Sequence, residues 1–130
     1  MRPKAFVIDD NDLDLRLQRK QFGQDYVEVV SYSGGRAAIA EVGASSPSAC
    51  IVDIYMPDMD GFEVIRQLRR DGYEGLVVAI TGGMPNPEFD VLKYAEAFGA
   101  DMVLRKPINP GQISQAIAND LGDFAPGGAA

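Results

Sequence analysis

The chain reads as an α/β domain built on a parallel sheet, and three observations carry that reading. Short apolar runs alternate with longer segments of helical spacing, the arrangement of repeated strand-helix units. The 130 residues, 46% of them hydrophobic, suit one domain around one core. Polar residues of a few chemical types close the apolar runs at 9–10, 53, 81 and 106, and the carboxyl ends of strands are where an open parallel sheet gathers its ligand-binding groups.

The elements follow in order. β1 spans Lys4 to Ile8, four apolar residues that run into two aspartates. Leu13 and Leu17 mark one face of α1, around 13–17, with Asp10 or Asn11 placed to cap it. β2 spans Val27 to Val30, and Ser33 precedes α2, around 37–40, where Ala37 and Ala40 share a face. β3 spans Ala49 to Ile54, apolar on consecutive positions as a strand buried on both faces requires. Phe62, Ile65 and Leu68 define α3, around 62–68, entered through a turn at Asp58 to Gly61. β4 spans Leu76 to Thr81. Phe89, Leu92 and Ala95 define α4, around 89–95, with Pro87 suited to its first turn. β5 spans Met102 to Arg105, and Ile113, Ala116, Ile117 and Leu121 define α5, around 113–121, entered at Pro110. The domain is expected to cover residues 1–121. Residues 122–130, GDFAPGGAA, are expected to be a flexible C-terminal tail or the stub of an excised linker.

Composition narrows the chemistry. Twelve Lys and Arg against nineteen Asp and Glu give a net charge of -7, which repels nucleic acid and anionic membrane surfaces. With no His, imidazole bases, Ser/His couples and His-ligated metals are excluded. The single Cys50 excludes an intrachain disulfide and a cysteine zinc cluster, and reads as a buried strand residue. No signal peptide is visible, because two aspartates interrupt the apolar stretch Ala5 to Ile8. The longest apolar stretch, Leu76 to Ile80, is too short for a membrane span. A cytoplasmic protein is expected.

The strand ends hold the candidate site: Asp9 and Asp10 after β1, Asp53 near the end of β3, Thr81 closing β4, and Lys106 with Pro107 after β5. Two unit charges ~4 Å apart repel by ~4 kcal/mol at an effective dielectric of ~20, so three clustered aspartates call for a cation. Magnesium, a hard ion with oxygen ligands, meets that need. The plain alternative is that Asp9 and Asp10 only cap α1. Asp53 shifts the balance, since an acid at the end of a buried strand is costly without a partner. Lys106 and Thr81 then supply the charge and the hydroxyl that a phosphoryl group needs.

At this point the chain resembles the receiver domains of bacterial two-component response regulators, the CheY-like superfamily. The resemblance covers residues 4 to about 121 and rests on VIDD at 7–10, VDIYMPDMDGFEVIRQLR at 52–69, AITGG at 79–83 and GADMVLRKPI at 99–108. It implies a flavodoxin-like (βα)5 fold, a doubly wound five-stranded parallel sheet in the order 2-1-3-4-5, with Asp53 as the phosphoacceptor. It also implies that Asp10, Asp53 and the backbone carbonyl of Tyr55 hold Mg2+, with Asp9 acting directly or through a water. Thr81 and Lys106 would bind the phosphoryl group, and a cis peptide before Pro107 would aim Lys106 inward. The implied partners are a histidine kinase or histidine phosphotransfer protein as donor and a protein target downstream. The implied work is that of a signalling domain, not an enzyme acting on other molecules, and the protein would be a monomer or a weak homodimer.

Some positions depart from the family pattern. Val103 stands where an aromatic residue is common, so the movement of Thr81 is expected to pass through α4 and the loop before it. Ile108 replaces a frequent Phe, and Tyr55 and Gly83 stand where side chains influence hydrolysis of the acyl phosphate. Other readings are weaker. Asp58-Met59-Asp60-Gly61 looks like the DxDG of haloacid-dehalogenase-type phosphohydrolases, but Pro57 separates it from the strand. As an EF-hand loop it would put Met56 and Gln67 at ligand positions. Phe89, Tyr94 and Phe98 admit a reading as the lining of a partner surface, against the default for helical aromatics, which is core. Two alternatives to the switch remain: a receiver-like interaction module that works without phosphorylation, and the N-terminal receiver of a longer regulator.

Overall fold

The computed structural model describes residues 3–10, 27–56, 59–82, 91–106 and 110–120. The strands β1 (Lys4–Ile8), β2 (Glu28–Tyr32), β3 (Ala49–Asp53), β4 (Leu76–Thr81) and β5 (Met102–Arg105) form one parallel sheet. Its order is β2-β1-β3-β4-β5. Four helices are described: α2 (Gly35–Ser45), α3 (Gly61–Arg70), α4 (Val91–Phe98) and α5 (Pro110–Asp120). The expected α1 falls on residues 11–26, outside the described residues, as do the start of α4 at Pro87 and the tail from Gly122.

Strand alternation explains the core. Phe6 and Ile8 point to the face covered by α2, α3 and α4, where they join Val52, Ile65, Leu68 and Ala95. Ala5 and Val7 point to the other face and join Ile51, Ile80, Ile113 and Ile117, the last two from α5. Every residue of β3 and β4 is buried, which is why these strands are apolar without alternation.

Several expected boundaries and faces are corrected. β2 starts one residue later than Val27 and continues to Tyr32, because Ser31 and Tyr32 pair with Val7 and Ile8. Polar Ser31 hides that continuation in the sequence. β3 ends at Asp53 rather than Ile54; Ile54 N–H still donates to the Ile80 carbonyl at 2.9 Å before the chain turns. In α2 the buried face is Ala38 and Val42, while Ala37 and Ala40 are exposed. In α4 it is Val91 and Ala95, and Leu92 is 50% exposed. Small alanines fit either face, so their spacing alone does not fix the buried one. Tyr94 is also not core: it is 52% exposed, with its ring 6.2 Å from that of Phe62.

The end of α3 is clamped by one side chain. Arg69 donates to the carbonyls of Tyr73 at 2.7 Å, Gly75 at 2.9 Å and Gly99 at 2.9 Å. It also meets Asp101 Oδ2 at 3.0 Å, and that same oxygen accepts from Val77 N–H at 2.8 Å. Three chain segments are thereby tied to one guanidinium. Gly99 has φ +119, and a Cβ there would lie 2.5 Å from Arg69 Cγ, so the position admits only glycine without displacing the clamp. Arg69→Met retains the stem but strands those acceptors, and is expected to lower the unfolding free energy by about 2–3 kcal/mol. Urea denaturation measures this; a change within ±0.5 kcal/mol would show that water replaces the clamp.

Candidate functional site

The parallel sheet brings the strand ends to one rim. Asp9 follows β1 and is fully buried, Asp10 beside it is exposed, and Asp53 closes β3 at 5% exposure. One carboxylate oxygen from each of these three lies within 4.8 Å of the others. Asp9 is held in part by its own backbone, whose N–H donates to the Tyr32 carbonyl at 3.0 Å and extends the β1/β2 pairing. Thr81 closes β4 at 4% exposure, one residue beyond Ile80, the register partner of Asp53. Its carbonyl accepts from Lys106 N–H at 2.9 Å, which fixes where Lys106 leaves the sheet.

Lys106 is the cation of the group. Its Nζ lies 3.0 Å from Asp9 Oδ2 and 3.7 Å from Asp53 Oδ2. It therefore pairs more closely with Asp9 than with Asp53. One ammonium faces three carboxylates, so a net negative charge remains. Burial first and the Asp9 charge second raise the Asp53 carboxyl, Lys106 opposes both, and the net is a value pushed up to about 7. Tyr55 N–H donates to Asp53 Oδ1 at 3.4 Å, a long contact that lowers it slightly. The Tyr55 residue is 40% exposed beside the rim.

Gly61 is a site residue that sequence reasoning treated only as part of a turn. Its N–H donates to the Ile54 carbonyl at 2.8 Å, and a Cβ would collide with the Asp53 carbonyl oxygen and lie 2.6 Å from Ile54 Cα. The first turn of α3 thus rests directly on the backbone that carries Asp53. Asp60 caps that turn by accepting from Glu63 N–H at 2.9 Å. The signal was the Asp-Gly pair at a helix entry, where the acid serves the helix and the glycine serves the strand.

Three hard oxygen donors, two of them buried, form a cluster suited to a divalent cation with oxygen preference. Val103 is partly buried against the core below α4. Pro107, Ile108, Gly83, Phe89 and Asp58 lie outside the described residues. Among the described residues no helix is long and apolar enough to cross a membrane.

Comparison with known proteins adds an independent line. A family model described as the response regulator receiver domain matches residues 5–118. Hybrid signal transduction histidine kinase L of Dictyostelium discoideum is 37% identical over 120 residues, covering 88% of this chain and 7% of that protein. The alkaline phosphatase synthesis transcriptional regulatory protein PhoP of Bacillus subtilis is 26% identical over 117 residues, covering 90% of this chain and 48% of that protein. The chain thus spans about half of one relative's length and a small part of the other's. The solved structure of Vibrio cholerae chemotaxis protein CheY4 has a TM-score of 0.78 at 24% identity, covering 92% of this chain and 99% of that one. That likeness speaks for the fold.

Proposed function

Because the chain belongs to the response regulator receiver domain family, we propose that it is a phosphorylation-activated switch whose Asp53 accepts a phosphoryl group from a phosphohistidine on a partner. The observation that carries this reading is the placement of buried Asp53 within reach of two further carboxylates and one ammonium. The chain has no His, so the donor imidazole belongs to a histidine kinase or a histidine phosphotransfer protein.

An Asp53 carboxylate oxygen attacks phosphorus: the O–P bond forms as the P–N bond breaks, and the donor nitrogen keeps the electron pair and later takes a proton. Asp9, Asp10, Asp53 and the backbone carbonyl of Tyr55 would hold Mg2+, which would supply positive charge to offset the carboxylates and the phosphoryl oxygens. Lys106, whose Nζ lies between Asp9 and Asp53, pairs with one phosphoryl oxygen, and the Thr81 hydroxyl donates to another. The new charge draws Thr81 inward and biases the surface of α4, β5 and α5, which a downstream protein target reads. The chemistry is confined to the domain's own phosphorylation and dephosphorylation, in the cytoplasm.

Intact mass after incubation with Mg2+ and acetyl phosphate tests this reading. A gain of one phosphoryl group, labile to hydroxylamine and absent in Asp53→Asn, is the expected result. No gain from acetyl phosphate or from phosphohistidine proteins would instead favour an interaction module that needs no phosphate.

The raised Asp53 carboxyl makes a further prediction. With a value of about 7, its ionised fraction grows about tenfold between pH 6 and pH 8, and Mg2+ affinity is expected to rise by the same factor because ligation requires the carboxylate. Calorimetric titration measures this; equal affinity at both pH values would mean that Asp53 is ionised throughout.

A further inference from the structure

At the other end of the sheet lies a groove of about 460 Å³ between the last turns of α2 and α3. It is bounded by the segments that enter β3 and β4, whereas Asp53 and Thr81 close those strands. Strand length puts about 17 Å between the two ends, so the groove and the acidic site can be occupied together. Its apolar lining includes Ile39, Val42, Leu68 and Tyr73.

Two exposed carboxylates, Asp71 and Glu74, are the only charged groups among the residues lining the groove. Asp71 Oδ1 accepts from Gln67 Nε2 at 2.9 Å, which leaves its other oxygen for a partner. No basic residue occupies the last turn of α2; in the last turn of α3, Arg69 is committed to the clamp and the exposed Arg70 is not among the residues that line the groove. The carbonyl ends of two helices add negative potential to the same place. Gly43 and Gly72 keep the walls low: a Cβ on either would meet nothing within 4 Å.

We propose that this groove docks a basic amphipathic peptide segment of a partner protein, with an apolar side chain entering between α2 and α3 and a neighbouring Lys or Arg reaching Asp71 and Glu74. Charge complementarity selects the occupant, because an apolar floor with an acidic rim favours a segment that carries both characters. The groove is partly open to solvent, so a side chain can enter while the peptide backbone stays outside.

The test is a titration of the full 15N-labelled chain, in excess Mg2+ to cover the acidic site, with a capped 12-residue Leu/Lys amphipathic peptide. Saturable shifts confined to residues 39–47 and 68–75 are expected. Gly43→Leu fills the groove while improving helix propensity, and should weaken binding by about tenfold or more. Asp71→Asn with Glu74→Gln should weaken it by about fivefold. A Leu/Glu peptide of the same pattern should give no shifts. Three results would each overturn the proposal: shifts spread over the acidic surface, affinity unchanged by Gly43→Leu, or equal affinity for phenethylamine, which would assign the groove to a small amine.

Discussion

Asp53→Asn is expected to abolish phosphoryl uptake and, in metal-free buffer at pH 8, to raise the unfolding free energy by about 1–3 kcal/mol. A variant that loses function while gaining stability marks a residue whose ionisation is strained in the folded state. The Asp53 carboxyl stands at about 7 in the fold against an ordinary 3.8. At about pH 3 and below, under the ordinary value of 3.8, it is largely neutral folded and unfolded, and the substitution should change little. As pH rises, the unfolded chain ionises first, so the folded state loses stability progressively until about pH 7 and by a constant amount above it. A difference of about three pKa units, in which the opposing Lys106 contact at 3.7 Å is already included, bounds the effect at about 4 kcal/mol; the buried amide of the new Asn, which must find its own hydrogen-bond partners, brings the expected gain below that bound. Added Mg2+ should shrink the gain, because the wild type then stabilises its carboxylates by ligation. Urea denaturation at about pH 3 and about pH 8, with EDTA or with Mg2+, checks all three statements. Equal stability of the two proteins at pH 8 in EDTA would show that Lys106 alone balances the cluster.

How far the site could be read beforehand depended on what kind of contact each residue makes. Asp9, Asp53, Thr81 and Lys106 were legible as neighbours because a parallel sheet aligns the carboxyl ends of its strands, and each stands at the end of an apolar run. The sheet order was carried by motif resemblance, since alternation of strands and helices permits more than one winding. What stayed hidden were contacts that leave no periodic trace. Arg69 and Asp101 are 32 residues apart and meet at 3.0 Å, yet each looks like an ordinary surface charge in the sequence. The closer pairing of Lys106 with Asp9 than with Asp53 is set by side-chain direction, which strand position does not specify. The buried face of α2 was misread where alanine, indifferent to burial, supplied the pattern, and in α4 the misread residue is Leu92, which is 50% exposed while Ala95 is buried.

Gly61→Ala carries the largest structural effect, an expected loss of about 3–4 kcal/mol with phosphoryl uptake reduced at least about tenfold. The added methyl meets backbone: the Asp53 carbonyl oxygen, its carbon at 2.9 Å and Ile54 Cα at 2.6 Å. No rotamer change relieves such a contact, so either α3 moves away from β3 or the end of β3 bends. Moving α3 strains the packing of Val64, Ile65 and Leu68 in the core and the hydrogen bond from Gly61 N–H to the Ile54 carbonyl. Bending β3 carries Asp53 away from Lys106 and Asp9, and group transfer is sensitive to displacements of about 1 Å. Gly43→Ala is the control, since nothing lies within 4 Å of its Cβ; there the same substitution should stabilise by about 0.5–1 kcal/mol through helix propensity. If Gly61→Ala loses stability but keeps the rate of phosphoryl uptake, α3 has moved and the Asp53 cluster is held by the sheet alone. If both fall together, the first turn of α3 is part of what aims the carboxylate.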